Sequence, residues 1–198
     1  MPFHQLEVPA LPILLPLGAA LMVVSAVLLH RRGRLSARRL ATAWLAGWYA
    51  VAVIGATLLP LRLAWGPGAG PPELYRIILV PLITMRVDDF LLNIVMTLPL
   101  AALLYLVAGV RELRRVVLTG FLVSLVIEIT QAVIDLAWHG NRWADVNDLI
   151  SNTLGAYLGF LICWRALRSP RLRRVVQPWS LARNGPAPAP AHRPATRS

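Results

Sequence analysis

Long apolar blocks alternate with short polar, arginine-rich segments along this chain. The blocks run Leu11–Leu29, Leu40–Pro60, Phe90–Val110, Val116–Leu136 and Leu149–Trp164, the last with a polar lead-in from Val146. A helix needs about 20 apolar residues to cross the hydrocarbon layer of a bilayer. The pattern therefore predicts an all-α integral membrane protein, a bundle of about five transmembrane helices. Ile77–Met85 is apolar but too short to span, and with Pro81 inside it reads as an interfacial or re-entrant segment. The WGPGAGPP stretch at 65–72 is a turn region that cannot be helical.

Polar residues inside the blocks have their own spacing. Ser124, Glu128, Gln131 and Asp135 recur at intervals that place them on one face of the fourth block, with Thr130 pointing away. Glu128 lies roughly twelve residues, or about 18 Å, from the inner end of that block, a little past the midplane. The third block opens with Asp88, Asp89, Asn93 and Thr97, of which the last three form a stripe. Asp145, Asp148, Asn152, Gly155 and Gly159 share a face of the fifth, and Gly155 and Gly159 form a GxxxG pair suited to close helix packing. Charged groups inside a membrane are costly and are usually retained for a reason. The three stripes predict a polar cluster of Asn93, Glu128, Gln131, Arg142, Asp145, Asp148 and Asn152 below the outer surface. Arg142, the one basic residue close in sequence to these carboxylates, is expected to neutralise Glu128 or an aspartate. Trp138 and Trp143 flank it as an outer aromatic belt.

Composition sharpens this picture. Of 198 residues, 57% are hydrophobic and 15% charged, and mean hydropathy is +0.62. Soluble domains average about 25% charged residues, so a soluble enzyme is excluded. The net charge is +11 and all 20 basic residues are arginine. A basic chain can bind nucleic acid, but these arginines sit between apolar blocks, where topology signals belong, and nucleic acid is excluded as a partner. Arg31, Arg32, Arg34, Arg38 and Arg39 follow the first block; Arg111, Arg114 and Arg115 follow the third; Arg165, Arg168, Arg171, Arg173 and Arg174 follow the fifth. The other side receives Arg62, Arg76, Arg86 and Arg142. The bias places the N-terminus outside and the C-terminus inside. The first block, with five arginines just after it, reads as a retained anchor and not a cleaved signal peptide.

Three regions follow: a short extracytoplasmic N-terminus at 1–10, a membrane domain at 11–168, and a basic, Pro/Ala-rich tail at 169–198 expected to be disordered in the cytoplasm. Arginines of the tail are placed to touch anionic lipid heads. The single cysteine, Cys163, rules out an internal disulfide and a multi-cysteine metal site. His139 has no partner at metal-ligand spacing, so neither a metal nor another cofactor is expected. Pro99 is expected only to kink its helix.

Three segments carry a family resemblance: NIVMTLPL from Asn93 to Leu100, SLVIEITQ from Ser124 to Gln131, and RWADVNDLISNTLGAYLG from Arg142 to Gly159. In order and spacing, the region 78–164 resembles the VanZ-like family of bacterial membrane proteins. The chain departs from the family pattern at Ile78, where an Asn is usual, at Leu82, where a Phe is usual, and at Ala101, where a Gly is usual. These departures bear on the segment before the third span and leave Glu128, Asp148 and Asn152 untouched. The resemblance implies a multi-pass protein of the bacterial plasma membrane with a role in the cell envelope. The namesake of the family lowers sensitivity to the glycopeptide antibiotic teicoplanin.

The leading expectation is therefore an envelope or antibiotic-tolerance factor. Its polar cluster would meet membrane lipids, a lipid-linked envelope precursor or a glycopeptide at the outer leaflet. Three alternatives stay open: a small transporter or flippase, a non-catalytic accessory bundle, and an intramembrane enzyme using Glu128 and Asp148 as acid and base. The last has the least behind it, because the chain carries no nucleophile elbow, HExxH or nucleotide loop.

Overall fold

The computed structural model describes residues 3–82 and 85–182. Its helices are α1 (Leu11–Arg31), α2 (Ala37–Leu58), α3 (Val87–Thr97), α4 (Leu100–Ala108), α5 (Leu113–Trp138), α6 (Val146–Leu167) and α7 (Pro170–Val176). Four short strands, β1 (His4–Val8), β2 (Leu61–Trp65), β3 (Ile77–Ile78) and β4 (Ala144–Asp145), and two 3-10 turns, Leu74–Arg76 and Gln177–Trp179, complete the described elements. The fold is predominantly helical. Four of its helical stretches are long and apolar enough to cross a membrane: α1, α2, the α3–α4 pair at 87–108, and α5.

The bundle is built with its polarity inverted relative to a soluble domain. Along α5 the buried residues are Val116, Gly120, Ser124, Glu128, Gln131 and Asp135, while Leu122, Val126, Ile129 and Val133 are exposed. Lipid is as apolar as leucine, so nothing drives those side chains inward. Small and polar residues take the interior, where they can hydrogen-bond across helices. The buried face of α6 follows the same rule with Asn147, Ser151, Asn152, Gly155, Ala156 and Gly159. At 22 residues α6 matches α2 in length. Its polar first half makes it less apolar, and α3, α4 and α5 pack around it.

Pro99 does more than bend the third block. It lacks an N–H, so the carbonyl of Val95 loses its helical partner and the helix divides into α3 and α4 at Leu98–Pro99. Leu98 N still donates to Ile94 O and Leu103 N to Pro99 O, both at 3.0 Å, so the two halves remain nearly continuous.

Three connecting segments carry structure that the hydrophobic pattern does not specify. The short N-terminus contains β1, which pairs antiparallel with β2 (His4 opposite Trp65, Val8 opposite Leu61). The Ile77–Met85 segment begins as β3, paired in parallel with β4, and then turns at Pro81–Leu82. Residues 83 and 84 of that segment lie outside the described residues. The tail is ordered over its first part as α7 and a 3-10 turn at Gln177–Trp179. An average over Arg, Pro and Ala concealed a local signal: Leu172 and Val176, four apart, share one face and line a groove with Leu106, Ile162 and Ala166. The expectation of disorder for 183–198 concerns residues outside those described.

The loops gather at two ends. At one end Arg34 Nη2 donates to Ala182 O at 3.3 Å, and Leu181 N donates to Leu106 O at 2.7 Å. The Thr42 hydroxyl, on a residue only 1% exposed, lies 2.9 Å from Trp179 O. At the opposite end Arg62 N donates to Asn141 Oδ1 at 3.0 Å, and Arg142 Nη2 donates to Pro60 O at 3.2 Å. Thr42→Val is expected to release the 170–182 segment by about 1 kcal/mol, the net worth of one hydrogen bond. Faster limited trypsin cleavage at Arg171, Arg173 and Arg174 would report it.

Candidate functional site

Five elements surround a cavity of about 460 Å³ at the end of the bundle where α2 stops and α6 begins. Ala56 and Thr57 come from α2; Asp89, Leu92, Asn93 and Met96 from α3; Ile127, Glu128 and Gln131 from α5; Asn141, Arg142 and Trp143 from the loop; Asp148 and Asn152 from α6. Of the polar cluster read from the sequence, Asn93, Glu128, Gln131, Arg142, Asp148 and Asn152 line it, and Asp145 does not.

Asp145 has a different task. Its Oδ1 accepts from Asn147 N and Asn147 Nδ2, each at 2.8 Å, and so caps the N-terminus of α6. Its own backbone N–H donates to Glu128 Oε2 at 2.7 Å. The Asn147 side chain passes the arrangement on, accepting from Leu82 N through Oδ1 at 2.8 Å. One chain of bonds therefore ties the 77–82 segment, the start of α6 and Glu128 together. Asn147 was not singled out in the sequence; its position two after a capping Asp was the available signal.

The α5 polar stripe also repairs a broken helix end. Pro60 stops α2, and the last carbonyls of a helix have no partner of their own. Gln131 Nε2 donates to Thr57 O at 2.8 Å, and Arg142 takes Pro60 O. Deeper in, Asn152 Nδ2 donates to Ser124 Oγ at 3.0 Å.

What these bonds leave over defines the cavity. Gln131 Oε1, Asn152 Oδ1 and Arg142 Nε are buried without a hydrogen-bond partner among the described residues. Glu128, Gln131 and Asn152 are 8%, 6% and 2% exposed. Burial holds the Arg142 guanidinium below its usual pKa, yet arginine remains charged in proteins. Among the described residues, neither Glu128 nor Asp148 has a cationic group within 4.0 Å, and Arg142 has no carboxylate within that distance. The expectation that Arg142 neutralises one of these carboxylates is thus corrected: its guanidinium is drawn to the end of α2 instead.

The internal ion pair belongs to another arginine. Arg76 Nη1 lies 3.5 Å from Oδ1 of Asp135, which is 1% exposed, and Arg76 also bonds Glu73 and the carbonyl of Gly140. The sequence pattern marks Arg76 only as a loop charge. The signal was its position on the side where basic residues are scarce, opposite a carboxylate one helical turn from the end of α5. At the cavity mouth, Asp88 and Asp89 pair with Arg86 at 3.0 and 3.2 Å. His139 caps α5 in a left-handed conformation, with ring nitrogens 3.3 Å from Ala64 O and 3.0 Å from Gly70 O. Among the described residues, no group of three or more His, Cys, Asp or Glu side chains is placed to hold a metal ion.

Gly155 and Gly159 set how closely α6 meets the third block. A Cβ at Gly155 would collide with Thr97 Oγ1 and Ile94 O, and one at Gly159 with Leu98 O. α3 and α6 therefore meet backbone to backbone, which brings Asn93 and Asp148 to the same cavity.

No curated protein and no solved structure matches the chain. A family model described as VanZ/LLP1 matches residues 45–168, from within α2 to just beyond α6, and so takes in every residue that lines the cavity. The chain, with its polar interior, belongs to the VanZ/LLP1 family.

Proposed function

We propose that this chain is a bacterial plasma-membrane protein that binds the polar head of an envelope lipid or lipid-linked precursor at the outer leaflet, and thereby lowers sensitivity to glycopeptides. In this reading it crosses the bilayer five times, with α6 as the fifth span, its N-terminus outside and its C-terminus inside. The gathering of the α1–α2 loop and the 170–182 segment at one end, and of Arg62, Arg76 and Arg142 at the other, supports that topology. Glu128 lies ten residues, or roughly 15 Å, below the end of α5, within reach of a head group entering from outside.

The observation that carries the proposal is the cavity itself: about 460 Å³, where among the described residues Glu128 and Asp148 lack an ion-pair partner and Gln131 Oε1, Asn152 Oδ1 and Arg142 Nε lack a hydrogen-bond partner. Small-molecule sites span roughly 300–1,000 Å³ and use a few convergent polar groups. A purely structural network would satisfy its members, since unpaired buried groups cost about 1–3 kcal/mol each. A protein holding a precursor head group there would restrict a glycopeptide's access to it.

Growth inhibition by teicoplanin and vancomycin tests this in a susceptible bacterial host carrying empty vector, wild type, Glu128→Gln or Asp148→Asn. Wild type is expected to raise the inhibitory concentration, and both variants to lose that gain at equal membrane abundance. Full tolerance in both variants, or none in wild type, would overturn the proposal.

A further inference from the structure

We infer that the cavity takes a zwitterionic head group of the phosphoethanolamine class, its ammonium between Asp148 and Glu128 and its phosphate on Arg142, an assignment that rests on the outer-leaflet binding role proposed above. The charges dictate the ligand. Three carboxylates and one guanidinium line one space; Asp89 is paired with Arg86, but among the described residues Glu128, Asp148 and Arg142 have no ion-pair partner. A cation alone would leave Arg142 Nε unpaired, and an anion alone would leave the carboxylates unpaired. A ligand carrying both signs on adjacent atoms satisfies both walls.

Hydrogen-bonding capacity narrows the class further. The groups on the Glu128 wall are acceptors: the Glu128 carboxylate, one oxygen of which already takes the Asp145 N–H, the Asp148 carboxylate, and Gln131 Oε1 and Asn152 Oδ1, which have no partner among the described residues. A primary ammonium brings three N–H donors to them. A trimethylammonium brings none, and a site built for N–H donors rejects an analogue that lacks them. Leu92, Met96 and Ile127 line the same space, so it also offers apolar surface to the glycerol and upper acyl chain of a lipid.

The test uses full-length protein in detergent and thermal unfolding followed by loss of the monodisperse chromatographic peak. Probes are phosphatidylethanolamine, phosphatidylcholine, phosphatidylglycerol and soluble phosphoethanolamine. A ligand that binds only the folded state raises the transition temperature in a concentration-dependent way. Phosphatidylethanolamine is expected to act at a concentration at least tenfold lower than the other two lipids. Asp148→Asn and Arg142→Gln are each expected to raise that concentration at least tenfold while keeping the unliganded transition within a few degrees. If either variant fails to fold, retention of labelled phosphatidylethanolamine by Glu128→Gln replaces it. Equal action of phosphoethanolamine alone would assign the site to a soluble metabolite; no action of it would assign it to the lipid. Equal responses to all three lipids, or undiminished responses in the variants, would overturn the inference. Because no antibiotic is present, selective binding without glycopeptide tolerance would refute only the proposed function. Tolerance that depends on Asp148 without selective binding would refute only this head group.

Discussion

Arg76→Met is expected to destabilise the protein by about 3–5 kcal/mol, the usual cost of removing one partner of a buried ion pair. Asp135 is 1% exposed, and Arg76 is the cation beside it. Without Arg76 its carboxylate has the desolvation cost of burial and no compensation. Arg76 also holds Glu73 and the carbonyl of Gly140, so the 73–78 segment should loosen from the end of α5. The second half of the experiment separates charge from packing. In Arg76→Met/Asp135→Leu both charges are gone, and apolar replacement of a buried pair is often neutral or stabilising. The double variant is expected to recover most of the lost stability in thermal unfolding in detergent. A double variant as unstable as Arg76→Met would show that the hydrogen bonds of Arg76 matter more than its charge.

The second large effect is expected at the α3–α6 contact. The obstacles to a Cβ at Gly155 and Gly159 include the carbonyl oxygens of Ile94 and Leu98, which cannot rotate out of the way. Overpacking a well-packed site costs about 1–3 kcal/mol, and a backbone obstacle puts this case at the upper end. Gly155→Ala should lower the thermal transition and Gly155→Leu should abolish the folded peak. Gly155→Ala should also impair binding, because separating α3 from α6 separates Asn93 from Asp148. Gly47→Ala is the matched control: its Cβ would meet Leu21 Cβ at an ordinary 3.5 Å, and little change is expected.

Much of this architecture is readable without coordinates because the bilayer imposes a simple rule. A spanning helix must be apolar over about 20 residues, so each polar residue within it stands out. The spacing of Ser124, Glu128, Gln131 and Asp135 was enough to put them on one face, and all four are buried. The capping role of Asp145 was less accessible. A carboxylate just before a helix serves equally as a cap or as a site group, and the choice depends on where the chain turns.

The amino-acid sequence by itself determined that the chain is a helical membrane protein, four stretches that are long and apolar enough to span, and which faces are polar. Those properties follow from local composition and from the 3.6-residue period of the helix. Tertiary structure alone decided the pairing: Arg76 with Asp135, Arg142 with the end of α2, and the 170–182 segment against α2 and α4. Such partners lie tens of residues apart, and which of several arginines reaches a carboxylate depends on how the loops fold over the helix ends. Charge reads from sequence, but distance does not, and an ion pair is decided by distance.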